Sequence, residues 1–209
     1  LNGNYEGLTQ ADANEYLGPN FWPTTPDILH TDLQTGNRAT FIGRYVVAAT
    51  LSTNNDIYGP AYELHDHEPY PGKEENNNSE KYQLKAWDLN KAGNIKAEIA
   101  RVNAIRNQHE CFQRTFNVSF IPCNNSHIIA YLKQNFEKTD RFIIIVNMDW
   151  ENKQVGTLDL SVEALGLGGS LKLVDRLAPA PKDYVWEGNS AYVELDPKNS
   201  PAHILQIVD

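Results

Sequence analysis

Two polar segments near the start of the chain carry residue types that can do chemistry. Asp27 follows the short apolar run Asn20–Trp22, and a carboxylate just beyond the end of a strand can bind hydroxyl groups or stabilise a developing positive charge. The same residue fits the N-cap of a helix starting at Ile28, which is the interpretation that these residues alone favour. The segment 65–68, His-Asp-His-Glu, contains a His-x-His pair that can chelate a metal ion. No further cluster at ligand spacing accompanies it in the sequence, so we predict no metal site.

Composition and charge limit the kinds of partner that the chain can have. The chain has 209 residues with 18 basic and 27 acidic side chains, which gives a net charge of −9. An acidic chain repels phosphate backbones, so we expect no nucleic-acid partner. No apolar run is long enough to cross a membrane, and we expect no membrane partner. Cys111 and Cys123 are too few for a disulfide scaffold, and we expect two free thiols in a cytoplasmic protein.

The first half of the chain alternates short apolar runs with helical patterns. The predicted elements are a helix over 8–16, a strand over 20–22, a helix over 38–51, a strand over 56–59, a polar loop over 65–80 and a helix over about 94–110. Such an alternation predicts parallel strands joined by helical crossovers. Two strands and their helices are too few for an open α/β sheet with a normal core, so they look like the end of a larger structure.

After Cys111 the pattern changes to short apolar runs separated by turn residues. The predicted strands are about 113–120, 127–133, 141–148, 157–162, 170–175, 183–187, 190–195 and 203–208. The run Arg141–Met148 is nearly all apolar, as in a strand that is buried on both faces. About eight strands at this spacing are typical of an antiparallel β-sandwich. We therefore divide the chain into domains 1–111 and 112–209.

Several segments carry a resemblance to a known family. They are Asn20–Leu29, which reads Phe-Trp-Pro and then Thr-Pro-Asp, Ala48–Ser52 with Ile57–Leu64, Pro71–Glu75 with Ser79–Tyr82, Gly93–Arg106, and Tyr192–Pro197 with Pro201–His203. In this order they resemble the seventh strand, the seventh helix and eighth strand, the following loop, the last barrel helix and the end of the sandwich in α-1,4-glucan:maltose-1-phosphate maltosyltransferases of the α-amylase superfamily. The resemblance runs in register over nearly the whole chain.

The resemblance implies a fold of class α/β plus all-β. Residues 1–111 would be the C-terminal strands and helices of an incomplete (β/α)8 barrel, and residues 112–209 an antiparallel β-sandwich of about eight strands. The family usually has Asn at the position of Thr24, so we expect one polar contact on the substrate side to differ. Because the sequence starts at Leu1, we expect it to be a piece of a longer protein.

The resemblance also implies roles for four residues. In the superfamily, the carboxylate that matches Asp27 binds hydroxyls of the sugar at the cleaved bond and stabilises the oxocarbenium-like transition state. Lys81 and Tyr82 resemble residues that line the donor-sugar pocket, and Glu80 is a weaker candidate at the same place. A lysine can donate hydrogen bonds to sugar hydroxyls and a tyrosine can stack on a sugar face. A solvated lysine and a packing tyrosine fit the same residues equally well.

The function that the resemblance implies is the retaining transfer of maltosyl units from maltose-1-phosphate to an α-1,4-glucan or maltooligosaccharide, without a metal or an organic cofactor. A homodimer is expected by analogy. The chain itself is expected to be inactive, because the matching nucleophile and acid/base lie on earlier strands of the barrel. Two alternatives stay open: an α-amylase-type glycoside hydrolase, and a non-catalytic carbohydrate-binding or structural module. Trp150 and Trp186 fit sugar platforms, although a packing role is favoured for both.

Overall fold

The computed structural model describes residues 18–77, 84–167 and 169–208. Within them, the α-helices are α1 (Thr31–Gln34), α2 (Arg38–Leu51) and α3 (Lys96–Gln108). The strands are β1 (Asn20–Phe21), β2 (Asn54–Asn55), β3 (Val118–Phe120), β4 (Ile128–Gln134), β5 (Arg141–Asn147), β6 (Gln154–Asp159), β7 (Ser170–Asp175), β8 (Lys182–Glu187), β9 (Ser190–Leu195) and β10 (Ala202–Val208). The helix predicted over 8–16 lies outside the described residues. No helix in the described ranges is long and apolar enough to cross a bilayer.

The strands form three sheets. β1 and β2 are a parallel pair, six strands form a larger sheet in the order β3-β4-β5-β10-β7-β8, and β6 pairs with β9. Every pairing in the larger sheet and in the β6–β9 pair is antiparallel. The predicted β-sandwich is confirmed, and its strands lie close to the predicted positions. β3 is shorter than predicted because residues Glu110–Gln113 form a turn of 3₁₀ helix ahead of it.

Both faces of the six-stranded sheet are covered. Side chains such as Tyr131 and Ile144 point to one face and share an apolar cluster with the helices α2 and α3. Side chains such as Ile143 and Ile145 point to the other face and share a second cluster with the β6–β9 pair. Alternation along a strand therefore buries every residue from Phe142 to Asn147, which explains the continuous apolar run seen in the sequence.

Helix α2 connects the two parts of the molecule. Its N-cap is Asn37, whose side-chain oxygen accepts a hydrogen bond from the Ala39 N–H at 2.9 Å. Gly43 faces the loop after β5, and a Cβ atom there would lie 2.3 Å from Cζ3 of Trp150. Trp150 packs against the apolar cluster of the helices, as the sequence analysis favoured. The missing side chain of Gly43 is therefore what lets the helix approach the sandwich.

The C-terminal end of α2 is capped by a side chain from α3. Arg106 donates hydrogen bonds to the carbonyl of Ala49, to that of Ser52 at 3.0 Å and to that of Thr53 at 2.8 Å. A guanidinium satisfies several carbonyls at once, and a positive charge is favourable at the C-terminal end of a helix. Burial lowers the pKa of Arg106, which nevertheless stays charged.

Residues from both sides of the predicted domain boundary share one core. The cluster on the helical face contains Phe41 and Val102 from the first part and Phe142 and Ile204 from the second. Described residues before 112 thus pack against the sandwich. Cys111 is buried in the same cluster, and both cysteines are free thiols, as predicted. The boundary at 111 and 112 itself stays a prediction.

Candidate functional site

The parallel pair β1–β2 positions the candidate site. Asn20 pairs with Asn54 and Phe21 with Asn55, so the carboxyl ends of both strands lie at the same edge. The second strand is not at 56–59, as predicted, but begins two residues earlier. The side chain of Asn20 donates a hydrogen bond to the carboxylate of Asp56 at 2.9 Å, across the end of the pair. Long-range pairing, not the local preference of Ile and Tyr for strands, decides the position.

Asp27 lies in a tight turn beyond β1, with residues 22–26 between the strand and Asp27. The turn is closed by a hydrogen bond from the Ile28 N–H to the Thr25 carbonyl at 3.3 Å, and the side chain of Asp27 is exposed. No helix starts at Ile28, so the N-cap interpretation of Asp27 is wrong. The cap of α1 is instead His30, whose Nδ1 accepts a hydrogen bond from the Asp32 N–H at 3.2 Å. Asp27 is thus an exposed turn residue on the segment that leaves the carboxyl end of β1.

Thr24 stabilises the turn that carries Asp27. The residue is 7% exposed, and its hydroxyl donates a hydrogen bond to the carbonyl of Ile28. The side chain therefore closes the turn that carries Asp27 and does not point to solvent. Thr24 stands where the family usually has Asn, and in this chain its side chain bonds to the backbone of the turn.

The polar loop after β2 is tied to the same turn. The Leu29 N–H donates to the Glu74 carbonyl at 3.0 Å, and the Thr31 N–H donates to the Glu74 carboxylate at 3.0 Å. The hydrogen bond from Thr31 lowers the pKa of Glu74, which keeps this acceptor ionised. The side chain of Asn76 donates to the Pro26 carbonyl at 3.5 Å. These contacts place the loop beside the Asp27 turn.

Glu80, Lys81 and Tyr82 lie in the segment 78–83, outside the residues that the structure describes. The chain enters this segment at Asn77, whose N–H donates to the Glu68 carbonyl at 3.0 Å. It leaves the segment at Leu84, which is 97% exposed. The donor-pocket role of the three residues stays a prediction.

The His-x-His pair has packing contacts. The His65 ring meets Phe41 edge-on, with 4.5 Å between ring centroids, and the His67 ring lies against Gly36. Burial, with the nearby His67 and Arg38, lowers the pKa of His65 to about 4. Among residues 18–77, 84–167 and 169–208, no group of three or more His, Cys, Asp or Glu could hold a metal ion.

Sequence reasoning missed Asp56 as a candidate. Asp56 directly follows β2, and its backbone N–H donates a hydrogen bond to the Phe21 carbonyl at 3.2 Å. A carboxylate just after a strand was the available signal, but the predicted strand, 56–59, included Asp56 itself. A cleft of about 730 Å³ is lined by residues of β1 together with Trp22, Arg44 and Trp150. Trp22 is 38% exposed there.

Comparison with solved structures defines the class of fold. A pullulanase from Anoxybacillus sp. superposes on 98% of this chain with a TM-score of 0.64 at 14% sequence identity, over 30% of the pullulanase chain. A maltogenic alpha-amylase from Thermotoga neapolitana covers 82% of this chain with a TM-score of 0.56 at 12% identity, over 37% of its own length. The fold is therefore one that amylase-type enzymes contain.

Sequence comparison then identifies the relatives. Residues 120–207 match the family model described as "GLGE, C-terminal". The α-1,4-glucan:maltose-1-phosphate maltosyltransferases of Chlorobaculum tepidum and Methylacidiphilum infernorum are 44% and 45% identical over 206 and 205 residues, which is 96% and 97% of this chain. The resemblance to the C-terminal part of the maltosyltransferases is thus confirmed. The chain spans only 31% and 30% of the length of these two relatives.

Proposed function

We propose that this chain is the C-terminal part of a retaining α-glucan maltosyltransferase of the cytoplasm. The enzyme would transfer maltosyl units from maltose-1-phosphate to an α-1,4-glucan or maltooligosaccharide. The support is the identity of 44% and 45% to two proteins of that name over nearly the whole chain. A homodimer is part of the proposal by analogy with the family.

In this proposal, β1 and β2 are the last two strands of a (β/α)8 barrel in residues 1–111. The parallel pairing of the two strands, with α2 as the crossover between them, supports it. Chemistry in such barrels lies at the carboxyl ends of the strands. The Asp27 turn and Asp56 follow these ends. Residues 112–209 would be the sandwich domain that packs on the last two helices of the barrel.

The observation that carries the proposal is the exposed Asp27 in the turn that follows the carboxyl end of β1. This carboxylate would accept hydrogen bonds from hydroxyls of the donor sugar while the bond from C1 to phosphate breaks. Its negative charge would stabilise the positive charge that develops on the ring. A nucleophilic carboxylate and an acid/base on earlier strands would form and then release the maltosyl–enzyme bond, and no metal or organic cofactor takes part. Lys81 and Tyr82, with Glu80, would line the donor pocket.

The test is phosphate release from maltose-1-phosphate by the full-length enzyme with a maltooligosaccharide acceptor. We expect Asp27→Asn to lower kcat/KM by about 10²–10³-fold, because it removes charge where the transition state needs it. Asp183→Asn, on the outward face of β8, is the matched control and should leave the rate unchanged. Full activity of Asp27→Asn would refute the role of Asp27. Glucan cleavage by water without phosphate release would favour the hydrolase alternative.

A second measurement concerns the chain of 209 residues by itself. We expect no phosphate release from it under the same conditions, since the other two carboxylates would be supplied by strands outside this sequence. Turnover by the purified chain would show that the catalytic groups all lie within it.

A further inference from the structure

The sandwich carries a second cleft, separate from the Asp27 turn. Its volume is about 620 Å³, and it is lined by residues of β5, β7, β8, β9 and β10 and of adjoining loops. The cleft opens between β8 and β9, because the two-stranded β6–β9 pair covers only part of the six-stranded sheet, of which β8 is one edge. Clefts of this size with mixed apolar and polar walls are typical of small-molecule sites.

Two aromatic side chains form one wall of this cleft, which we call the sandwich cleft. Tyr184 and Trp186 occupy inward-facing positions of β8, opposite Leu173 and Leu171 of β7. Both rings are only partly buried against the apolar cluster between the sheets, so part of each ring faces the cleft. Partly exposed aromatic rings offer flat apolar faces on which a sugar can stack.

A buried carboxylate orients a histidine at the end of the sandwich cleft. Asp175 is 1% exposed and occupies the third inward-facing position of β7, where the two before it are leucines. Its Oδ1 accepts hydrogen bonds from the N–H groups of Leu177 at 3.0 Å and Ile204 at 3.3 Å. Its Oδ2 lies 2.7 Å from Nδ1 of His203. Because a carboxylate only accepts, Nδ1 carries the hydrogen and Nε2 of a neutral His203 is left as an acceptor.

His203 lines the sandwich cleft, and Nε2 is the ring nitrogen that Asp175 does not contact. Within the described ranges, the bond to Asp175 is the one side-chain hydrogen bond that His203 makes. Nε2 is not among the fully buried polar atoms without a partner, so a ligand can reach it. The Tyr184 ring stands edge-on to the imidazole, with 6.1 Å between ring centroids. An oriented acceptor beside an aromatic ring matches a sugar, which presents an apolar face and hydroxyl donors together.

We propose that the sandwich cleft binds an α-1,4-glucan chain as a non-catalytic second site. Tyr184 and Trp186 stack on the faces of the sugars, and Nε2 of His203 accepts a hydrogen bond from a hydroxyl. Charges of both signs line the cleft: Lys182, whose ammonium lies 4.9 Å from the centroid of the Tyr184 ring, and Glu194 and Asp196, of which Glu194 is paired with Lys153 at 2.7 Å. These side chains can donate hydrogen bonds to sugar hydroxyls or accept them. The identity of the polymer rests on the proposed function, and the site holds the acceptor while the active site acts on its end.

The test is calorimetric titration of the 209-residue chain with maltoheptaose, and with cellohexaose as the β-linked comparison. We expect saturable binding of maltoheptaose and none of cellohexaose. Tyr184→Leu should weaken binding about tenfold or more, whereas Tyr184→Phe keeps the ring and the affinity. His203→Asn keeps a donor to Asp175 but has nothing in place of Nε2, and it should also weaken binding about tenfold.

Phe136→Leu is the control for a general loss of aromatic surface, since Phe136 is 90% exposed in the turn between β4 and β5. It should bind like the wild type, and thermal unfolding checks that every variant is folded. Two results would overturn the proposal: no saturable binding up to about 10 mM maltoheptaose, or wild-type affinity in both Tyr184→Leu and His203→Asn. The titration needs no phosphate release, so failure here leaves maltosyl transfer by the full-length enzyme intact, and the reverse also holds.

Discussion

Lys133 lies at an inward-facing position of β4 and is fully buried. Its ammonium donates hydrogen bonds to the Arg114 carbonyl at 2.6 Å and to the Leu51 carbonyl, at the end of α2, at 3.5 Å. Burial lowers the pKa of Lys133 to about 7, with the charge of nearby Arg106 acting in the same direction. The unfolded chain therefore binds more protons than the folded protein between about pH 7 and the ordinary lysine pKa near 10.5.

We predict that the free energy of unfolding rises with pH over this window because of Lys133, by up to a few kcal/mol in total. Lys133→Met should remove this contribution, so that the wild type gains stability relative to the variant from pH 7 to pH 10. Urea unfolding at a series of pH values measures the difference. The control is Lys172→Met, at an exposed position of β7, which should differ from the wild type by the same amount at every pH. A stability difference between the wild type and Lys133→Met that does not change with pH would contradict the prediction.

His65 makes the opposite end of the pH range informative. Its folded-state pKa of about 4 lies below the ordinary value of 6.5, so the stability that neutral His65 contributes is present above pH 6.5 and lost as pH falls toward 4. We predict that His65→Asn, which tolerates the backbone φ of 56° at this residue, loses less stability than the wild type between pH 6.5 and 4. Thermal unfolding across these pH values is the measurement. Parallel curves for the two proteins would count against a partly buried, neutral imidazole at this position.

The sequence contained more of the fold than of the candidate site. Helix α2 and strand β5 were predictable because their apolar patterns are set by the faces they bury. The local residues alone favoured a helix cap at Asp27, because the hydrogen bond that turns the chain, from Thr24 to the Ile28 carbonyl, cannot be read from local preferences. His30 caps α1, although the usual cap residues are Ser, Thr, Asp and Asn.

The sandwich cleft shows a different limit of sequence reasoning. Asp175 and His203 come from different strands, and they meet only because β7 and β10 are neighbours in the sheet. The available signal was a carboxylate at a position where the alternation of β7 calls for an apolar residue. Pairing across strands depends on topology, which the strand pattern does not contain.

At the scale of elements, the contact of α2 with the loop after β5 depends on one missing side chain. In an exposed helix, Gly→Ala stabilises by about 1 kcal/mol. At Gly43 the new Cβ would lie 2.3 Å from Trp150, whose ring has to move. We predict that Gly43→Ala instead destabilises the protein by about 1–3 kcal/mol, as overpacking does. Chemical denaturation gives the value.

A double-mutant cycle separates the clash from other effects of Gly43→Ala. In the background of Trp150→Leu, which vacates the space, Gly43→Ala should become neutral or stabilising. An equal loss of stability in both backgrounds would show that the ring of Trp150 is not the cause. Since Asn37 also donates to the Trp150 carbonyl at 2.6 Å, the backbone of this loop stays held in the variant.

At the scale of the whole molecule, the parallel pair β1–β2 is the least complete part. Within the described residues each of these strands pairs only with the other, so both outer edges are open. Trp22 and Ile28 lie next to the pair and are 38% and 47% exposed. Open edges with exposed apolar side chains favour association, whereas β8, the edge of the larger sheet, is protected by charged residues such as Lys182 and Asp183.

We predict that the purified 209-residue chain self-associates through the face that carries Trp22, with an average mass that rises with concentration. Trp22→Ser should shift this equilibrium toward the monomer, because it removes the largest exposed apolar side chain beside β1. Sedimentation velocity over a concentration series measures both proteins. Val185→Ser, which removes a 62% exposed side chain from β8, should leave the association unchanged. A wild-type chain that stays monomeric at every concentration would contradict this prediction. It would also count against the proposal that further barrel strands pack on the β1–β2 pair in the full-length protein.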